Sequence, residues 1–221
     1  MKQVKGFWLP DHEEHLVPFL ETGPEFAGGP TYQLHKLMAA MPFIRNFRTA
    51  VDVGAHCGLW SRPLGAMFSL VKAFEPIATH RECFHANVVP RDYGTFEFGV
   101  TLYSCALGDH DGSVSLHTGP SSSGDTYVQE GGEHNAVLKT LDSFGFADVD
   151  LIKLDCEGYE LFAIKGGEKT IREQKPCIIV EQKPGKGKQF GLGDQDAVVL
   201  LQSWGAEVVK EISGDFICRW R

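Results

Sequence analysis

Long apolar runs are missing from this sequence. No segment is apolar for long enough to span a bilayer, and residues 1–8 lack the apolar stretch of a signal peptide. The six cysteines include no Cys-x-x-Cys pair, which excludes the usual zinc and redox motifs. We therefore expect a protein of the reducing cytoplasm, with free cysteines and no membrane partner.

Positive charge is also scarce. Lysine and arginine number 21 against 29 aspartate and glutamate residues, and the net charge is −8. Nucleic acids and anionic membranes need a basic face that neutralises phosphate, so neither is expected as a primary partner. The 221 residues fit one α/β domain that acts on a small or neutral partner. The sequence leaves the oligomeric state open, a homo-oligomer included.

The most informative feature present is a pair of short apolar strands that each end in an acidic residue. The first strand leads into a glycine turn, residues 49–58 (TAVDVGAHCG), and the second is residues 70–76 (LVKAFEP). A buried strand, a glycine turn that opens a helix and a second strand ending in a carboxylate form the half-site for an adenosine-bearing cofactor. Glu75 is therefore predicted to bind the ribose hydroxyls.

The glycine turn also favours one cofactor over another. Dinucleotide folds carry glycine at the second turn position so that the backbone can approach a pyrophosphate, and this sequence has His56 there. Asp52 would repel phosphate, but it suits a ligand with an ammonium and a sulfonium group. The expected cofactor is S-adenosylmethionine. A nicotinamide-dependent oxidoreductase and a noncatalytic cofactor-binding or scaffold protein remain as alternatives.

Strands and helices alternate after a mixed N-terminal segment, residues 1–48, whose amphipathic stretch 31–41 is predicted to be a helix. The elements predicted after it are strand 50–53, helix 58–68, strand 70–75, helix 77–88, strand 99–105, a hairpin and polar loop within 108–140, strand 149–155, helix 159–174, strand 177–181, helix 195–204 and strands 206–212 and 216–220. This order predicts an α/β fold with a mostly parallel, doubly wound sheet and an antiparallel C-terminal edge strand.

Four of the predicted strands end in a carboxylate: Asp52, Glu75, Asp155 and Glu181. Ligands of such sheets bind beyond the carboxyl ends of the strands, although acidic residues there also cap helices. Residues 155–160 (DCEGYE) form the densest acidic cluster. Like charges at this spacing raise one another's pKa, which suits a general base.

The sequence leaves alternatives open for this cluster. Lys153 lies on the same strand face as Asp155, so the two could instead form a structural ion pair. Glu157 fits a helix-capping acid as well as a catalyst. The candidates for the base are Asp155, Glu157, Glu181 and His134. Three carboxylates could also hold Mg²⁺, but no metal is predicted.

Two other segments carry weaker signals. Residues 12–15 (HEEH) lack the His-Glu-x-x-His spacing of a zinc site and are interpreted as a polar stretch. Residues 183–188 (KPGKGK) lack the spacing of a phosphate-binding loop. Because they follow the predicted strand 177–181, they fit either an acceptor-binding lid or a plain loop.

Five segments together resemble the FkbM family of S-adenosylmethionine-dependent methyltransferases. They are residues 51–58 (VDVGAHCG), 73–76 (AFEP), 106–108 (ALG), 140–142 (TLD) and 152–160 (IKLDCEGYE). Their order and spacing match the family from about residue 49 to residue 183. The acidic run at 152–160 and the Phe-Glu-Pro sequence are the most specific of them.

The resemblance implies a Rossmann-like class I methyltransferase fold, with residues 1–48 as a cap segment and 49–221 as the methyltransferase domain. It implies O-methylation of a hydroxyl on a glycan or a small natural product. The predicted cofactor-binding residues are Asp52, Gly54, Ala55, His56, Gly58, Glu75, Pro76, Ala106, Leu107 and Asp155. Asp155, Glu157 and Glu181 are the predicted catalytic residues. The family usually carries asparagine where this sequence has His56.

Overall fold

The structure, a computed structural model, describes residues 1–88, 99–120 and 122–221. Ser121, in the predicted polar loop, lies outside the described residues. The strands are β1 (Lys2–Val4), β2 (Phe7–Leu9), β3 (Glu25–Phe26), β4 (Gly29–Pro30), β5 (Thr49–Val53), β6 (Leu70–Phe74), β7 (Val100–Tyr103), β8 (Cys105–Leu107), β9 (Gly112–Thr118), β10 (Thr126–Val128), β11 (His134–Lys139), β12 (Val149–Leu154), β13 (Cys177–Glu181), β14 (Ala206–Ile212) and β15 (Asp215–Trp220). The helices are α1 (Val17–Thr22), α2 (Leu34–Ala40), α3 (Ser61–Met67), α4 (Ala78–Val88), α5 (Glu160–Lys165), α6 (Glu168–Gln174) and α7 (Asp196–Ser203). Short 3-10 helices lie at Met41–Phe43, Leu141–Phe144 and Lys188–Phe190.

The main sheet has the strand order β14-β15-β13-β12-β5-β6-β7. Parallel pairing joins β13, β12, β5, β6 and β7, whereas β15 runs antiparallel between β13 and β14. The predicted mostly parallel sheet is confirmed, and the C-terminal strand is antiparallel as expected. Its predicted edge position is wrong, because β15 pairs with both β13 and β14, and β14 forms the edge. A tight turn at Ser213 and Gly214, both with positive φ, joins β14 to β15.

Side chains of the main sheet alternate between two buried layers, as the period of two in a strand requires. Val51 of β5 and Ile152 of β12 belong to one layer, which α5, α6 and α7 cover. Ala50 and Leu151 belong to the other layer, which α2 and α3 cover. Asp52 has the parity of Ala50, so its side chain points into the second layer. The sheet is therefore doubly wound, as predicted.

A second, four-stranded sheet has the order β10-β9-β11-β8. The prediction of a single strand at 99–105 is wrong. The strand is interrupted at Ser104, and β8 leaves the main sheet to pair in parallel with β11. The prediction of a polar loop after the hairpin is also only partly correct, because β10 lies within that segment and pairs with β9. Three residues are too few for alternating hydrophobicity to reveal a strand.

The N-terminal segment packs against the glycine turn and α4. Phe7 and Leu9 of β2 and Leu20 of α1 share a buried cluster with Cys57 of the turn and Cys83 of α4. All six cysteines are free. In the described part of the chain, none of the helices combines the length and the apolar content that a membrane crossing requires.

Polar contacts from α2 and from the β3–β4 turn also join the N-terminal segment to the rest of the fold. The predicted helix at 31–41 is α2, and its Lys36 forms a buried ion pair with Asp215 of β15. Arg62 of α3 donates to the carbonyl oxygens of Ala27 and Gly28 in the β3–β4 turn. The N-terminal segment and the C-terminal strand β15 therefore meet at the end of the main sheet where β15 begins.

Residues 159–174, predicted as one helix, form α5 and α6 with a break at Gly166. A Cβ atom on Gly166 would lie 1.9 Å from the carbonyl oxygen of Gly108, so the close approach of the two backbones requires glycine. Asp142 then caps α6, because its carboxylate accepts two backbone N–H groups of the first turn. Tertiary contacts, rather than helix propensity, divide this segment.

The substitution Gly166→Ala tests that contact. We expect it to lower the free energy of unfolding by about 2–3 kcal/mol, because overpacking a tight contact costs roughly this much and the opposing atom is backbone. Urea unfolding measures the effect. Gly112→Ala is the matched control, since its Cβ would meet only the His110 side chain at 3.5 Å. Unchanged or increased stability in Gly166→Ala would contradict the contact.

Candidate functional site

A cavity lies beyond the carboxyl ends of β5, β6, β12 and β13. The predicted site residues that line it are Gly54, Ala55, His56, Glu75, Pro76, Ala106, Leu107, Asp155, Glu157 and Glu181. Neighbouring strands lie about 4.8 Å apart, so the three strand steps from β6 to β13 span roughly 14 Å. The cavity can therefore hold an extended ligand whose two ends meet different carboxylates, Glu75 at one end and Glu181 at the other.

The glycine turn lies in close contact with the end of the neighbouring strand. Gly54 has φ +74, and a Cβ atom there would lie 1.9 Å from the carbonyl oxygen of Asp155. The backbone N–H groups of Gly54 and Ala55 both donate to the carbonyl oxygen of Phe74. A side chain at position 54 would push β5 and β12 apart, so this position requires glycine.

Glu75 is buried at the end of β6, where the protein's own groups hold its carboxylate. Oε1 accepts the N–H of Ile77 at 2.8 Å and lies 3.2 Å from Nδ1 of His80. Oε2 accepts the N–H of His56 at 2.8 Å. A carboxylate can accept about four hydrogen bonds, so Oε2 retains capacity for a ligand hydroxyl.

His56 links the glycine turn to two other segments. Its backbone is left-handed, with φ 49, and its Nε2 lies 2.7 Å from Oγ of Ser123. The Ser123 hydroxyl donates to the buried carboxylate of Glu13, so Ser123 accepts from the Nε2–H of the imidazole. Burial and then the neighbouring His80 hold the pKa of His56 well below its ordinary value. His56 is therefore neutral.

The buried ammonium group of Lys153 lies between two carboxylates beneath the cavity. Nζ is 3.5 Å from Asp52 and 3.7 Å from Asp155, and it donates to the carbonyl oxygen of Gly54 at 3.0 Å. Burial lowers the pKa of Lys153, but the two carboxylates outweigh burial and the pKa is raised. Burial raises the pKa of Asp155, but Lys153 and Lys183 outweigh it and the pKa is lowered. Asp155 is therefore ionised, and it pairs with Lys153.

Three carboxylates and two lysines meet at the other end of the cavity. One oxygen from each of Asp155, Glu157 and Glu181 lies within 4.8 Å of the others. Lys183 Nζ is 2.6 Å from Glu181, and Lys186 pairs with Glu157. Burial and then the charge of Asp155 raise the pKa of Glu181 to about 8. Burial and Asp155 also raise the pKa of Glu157. At neutral pH an ionised Asp155 therefore lies beside a protonated Glu181.

Neither Glu157 nor Glu160 caps α5; Glu160, its first residue, instead holds the turn that precedes the helix. Glu160 accepts the backbone N–H groups of Cys156 and Gly158, and burial raises its pKa to about 7. Glu157 instead has a left-handed backbone, with φ 54, and its side chain lines the cavity. Of the two readings of Glu157, the capping role is wrong.

Three predicted residues lie outside the cavity lining. Asp52 is completely buried below it, accepts the Ser61 hydroxyl at 2.6 Å and pairs with Lys153. Gly58 packs the turn against Phe84 and Val88 of α4. His134, a candidate base, is half-exposed on β11 beside Glu133. Asp52 therefore acts through Lys153, and His134 is not among the cavity groups.

The structure also adds residues that sequence reasoning missed or undervalued. The sequence pattern of residues 12–15 indicates only a polar stretch. In the structure, Glu13 is fully buried and His15 lines the cavity. Tyr32, Gln33 and Ser123 line it as well. No local pattern marks these residues, because they reach the cavity through long-range packing. The segment 183–188 is different, because its position in the sequence, directly after a strand that ends in a carboxylate, does indicate that it could lie at the site.

The raised pKa of Glu181 predicts how stability depends on pH. The folded protein keeps a proton on Glu181 up to about pH 8, whereas the unfolded chain loses it near its ordinary value of 4.5. The folded state therefore binds more protons between these values, and the free energy of unfolding falls as pH rises through this range. We expect Glu181→Gln, which stays neutral, to flatten that slope.

Urea unfolding between pH 5 and 8.5 checks this expectation. Glu173→Gln is the matched control, because Glu173 is exposed on α6. Equal slopes in the wild type and in Glu181→Gln would show that the carboxyl of Glu181 is not protonated in the folded state.

Comparison with known proteins assigns the chain that carries this site to a family. Residues 52–208, more than half of the chain, match the model of the methyltransferase FkbM domain. No curated protein matches the sequence significantly. A methyltransferase FkbM from Methylobacillus flagellatus KT is similar in structure, with 20% identity and a TM-score of 0.53 over 80% of this chain and 44% of that chain. The precorrin-6y C5,15-methyltransferase of Geobacter metallireducens GS-15 has 13% identity and a TM-score of 0.50 over 99% and 100%.

These likenesses confirm the class I methyltransferase fold. This chain spans less than half the length of the Methylobacillus protein. The matched region contains the glycine turn, Glu75 and the acidic run at 152–160, and a methyltransferase family sets aside the nicotinamide-dependent alternative. The chain belongs to the FkbM family of S-adenosylmethionine-dependent methyltransferases.

Proposed function

We propose that this protein transfers the methyl group of S-adenosylmethionine to a hydroxyl group of a carbohydrate or a small natural product. The observation that carries the proposal is the meeting of Asp155 and Glu181 in the cavity that also contains the glycine turn. A neutral hydroxyl is a poor nucleophile, so a carboxyl pair that takes up its proton favours transfer to oxygen.

In this proposal the cofactor lies along the strand ends. Bound S-adenosylmethionine supplies an already activated methyl group. Glu75 accepts a ribose hydroxyl at Oε2, while Ile77 and His80 hold Oε1. Pro76, Ala106 and Leu107 line the same end of the cavity and contact the adenine ring. The opposite, methionine end lies by the glycine turn and Asp155.

The acceptor hydroxyl is proposed to approach from the β12 and β13 side. Asp155 and Glu181 share one proton at neutral pH, and the pair is active once that proton is lost. It then takes up the hydroxyl proton of the acceptor as the acceptor oxygen receives the methyl group. Lys183, 2.6 Å from Glu181, balances the charge of the pair. Glu157 and Lys186 hold the neighbouring loop. Most of the work is positioning, because an in-line displacement needs the two reacting atoms held about 3 Å apart.

The acceptor class follows from the same groups. Their hydrogen-bonding capacity suits a ligand with several hydroxyls, and the net charge of −8 disfavours a polyanion. The proposal therefore needs neither a nucleic acid nor a membrane as partner.

Glu75→Gln tests the cofactor end. Removing the charge while keeping the shape is expected to weaken S-adenosylmethionine binding by about 1–3 kcal/mol, because the ribose hydrogen bond is charge-assisted. Isothermal titration calorimetry measures the affinity. Glu82→Gln, exposed on α4, is the control. An unchanged Kd in Glu75→Gln would remove Glu75 from the ribose site.

Glu181→Gln and Asp155→Asn test the acceptor end. Each is expected to lower kcat by about 10²-fold or more, the usual contribution of a general base. Glu181→Gln should leave the cofactor affinity little changed. Since the pKa of Glu181 is about 8, wild-type kcat/KM is expected to rise with pH up to that value. The rise should be absent in Glu181→Gln.

Release of S-adenosylhomocysteine with methyl hexopyranosides and small alcohols as acceptors gives these rates, and Glu173→Gln is again the control. Tight cofactor binding without transfer to any hydroxyl would favour the noncatalytic alternative.

A further inference from the structure

An aromatic wall that the proposed methyl transfer does not use borders the cavity. We give that name to His15, Phe19 and Tyr32, which all come from the N-terminal segment. The ring centroid of Phe19 lies 5.3 Å from that of His15 and 5.4 Å from that of Tyr32. Phe19 is 46% exposed, while His15 and Tyr32 line the cavity. An exposed aromatic cluster beside a polar cavity indicates a surface for a ligand with an apolar face.

The aromatic wall belongs to the acceptor end of the cavity. Lys36, four residues after Tyr32, forms an ion pair with Asp215, and Asp215 lies opposite Glu181 in the register of β13 and β15. Glu181 belongs to the carboxyl pair that is proposed to take up the acceptor proton. The Tyr32 ring therefore lies where the acceptor, rather than the adenosine, would contact it.

Gln33 supplies an unused hydrogen-bonding group next to this ring. Its side chain lines the cavity, and its Oε1 is buried with no hydrogen-bond partner among the described residues. A buried carbonyl without a donor is unfavourable, so the amide gains when its side chain turns to present Oε1 to a ligand hydroxyl in the cavity. Gln33 also has a left-handed backbone, with φ 57. Non-glycine residues in this conformation concentrate at ligand sites.

The N-terminal segment is held firmly enough to position these groups. Lys36, three residues after Gln33, forms its buried ion pair with Asp215 on the main sheet. Glu13, two residues before His15, accepts both the N–H and the hydroxyl of Ser123 at 2.6 Å. These anchors hold the aromatic wall at a set position relative to the carboxyl pair.

We propose that Tyr32 and Gln33, together with His15 and Phe19, form the acceptor subsite, and that its occupant is the pyranose ring of a neutral glycoside. The C–H face of the sugar packs on Tyr32, one hydroxyl reaches the amide of Gln33, and another is directed to Asp155 and Glu181. A neutral sugar fits best, because the ionised Asp155 lies where the acceptor hydroxyl is directed and would repel the carboxylate of an acidic sugar. This inference rests on the proposed function.

Saturation-transfer NMR on the protein with bound S-adenosylhomocysteine tests the subsite. The probes are methyl α-D-mannopyranoside, methyl β-D-glucopyranoside and methyl β-D-glucopyranosiduronic acid. We expect transfer to the ring C–H protons of a neutral glycoside and none to the uronide. Tyr32→Leu should abolish the transfer, Tyr32→Phe should keep it, and Gln33→Ala should weaken the glycoside affinity about tenfold, as loss of one hydrogen bond does.

Tyr127→Leu is the matched control. Tyr127 is a half-buried tyrosine on β10 that packs against His117 and lies outside the cavity lining. It should keep the wild-type transfer. The Kd for S-adenosylhomocysteine, measured on every variant, reports whether the fold and the cofactor site are intact. If Tyr32→Leu does not fold, Gln33→Ala and Tyr32→Phe carry the test.

The outcomes separate the two proposals. Absence of transfer to either neutral glycoside in the wild type, equal transfer in the wild type and Gln33→Ala, or preference for the uronide would overturn the subsite. Each of those results leaves the proposed function standing as long as methyl transfer to some hydroxyl compound is measured. Failure to bind S-adenosylhomocysteine, or to methylate any hydroxyl compound, would instead overturn the proposed function.

Discussion

The buried ammonium group of Lys153 is the interaction on which the rest of the site depends. Removing a charge from water is costly, and breaking a buried pair costs about 3–5 kcal/mol because the remaining charge is uncompensated. Here Asp52, Asp155 and the carbonyl oxygen of Gly54 surround it. Asp52 also accepts the hydroxyl of Ser61 on α3. One lysine therefore joins the glycine turn, two strand ends and a helix.

The same lysine gives two neighbouring carboxyl groups different properties. Asp155 pairs with Lys153 and is ionised, while the more distant Glu181 is dominated by burial and by the charge of Asp155, which raise its pKa to about 8. Environments that separate the pKa values of two acids assign them different roles in proton transfer. The charge balance around the acceptor thus follows from where Lys153 and Lys183 lie.

In the two proposals, the N-terminal segment contributes to acceptor binding but not to cofactor binding. The matched family region, 52–208, contains the glycine turn and the strand-end carboxylates. The N-terminal segment lies outside that region, yet it contributes Glu13, Tyr32 and Gln33 to the site.

The sequence by itself determined the parallel sheet, the glycine turn and the carboxylates at the strand ends, because buried strands and tight turns are encoded by neighbouring residues. Only the tertiary structure decided that β8 leaves the main sheet, that Glu157 pairs with Lys186 instead of capping a helix, and that Glu13 reaches Ser123 across 110 positions of sequence. Each of these outcomes is a contact whose partner is set by packing. Residues so far apart in sequence carry no local pattern that pairs them.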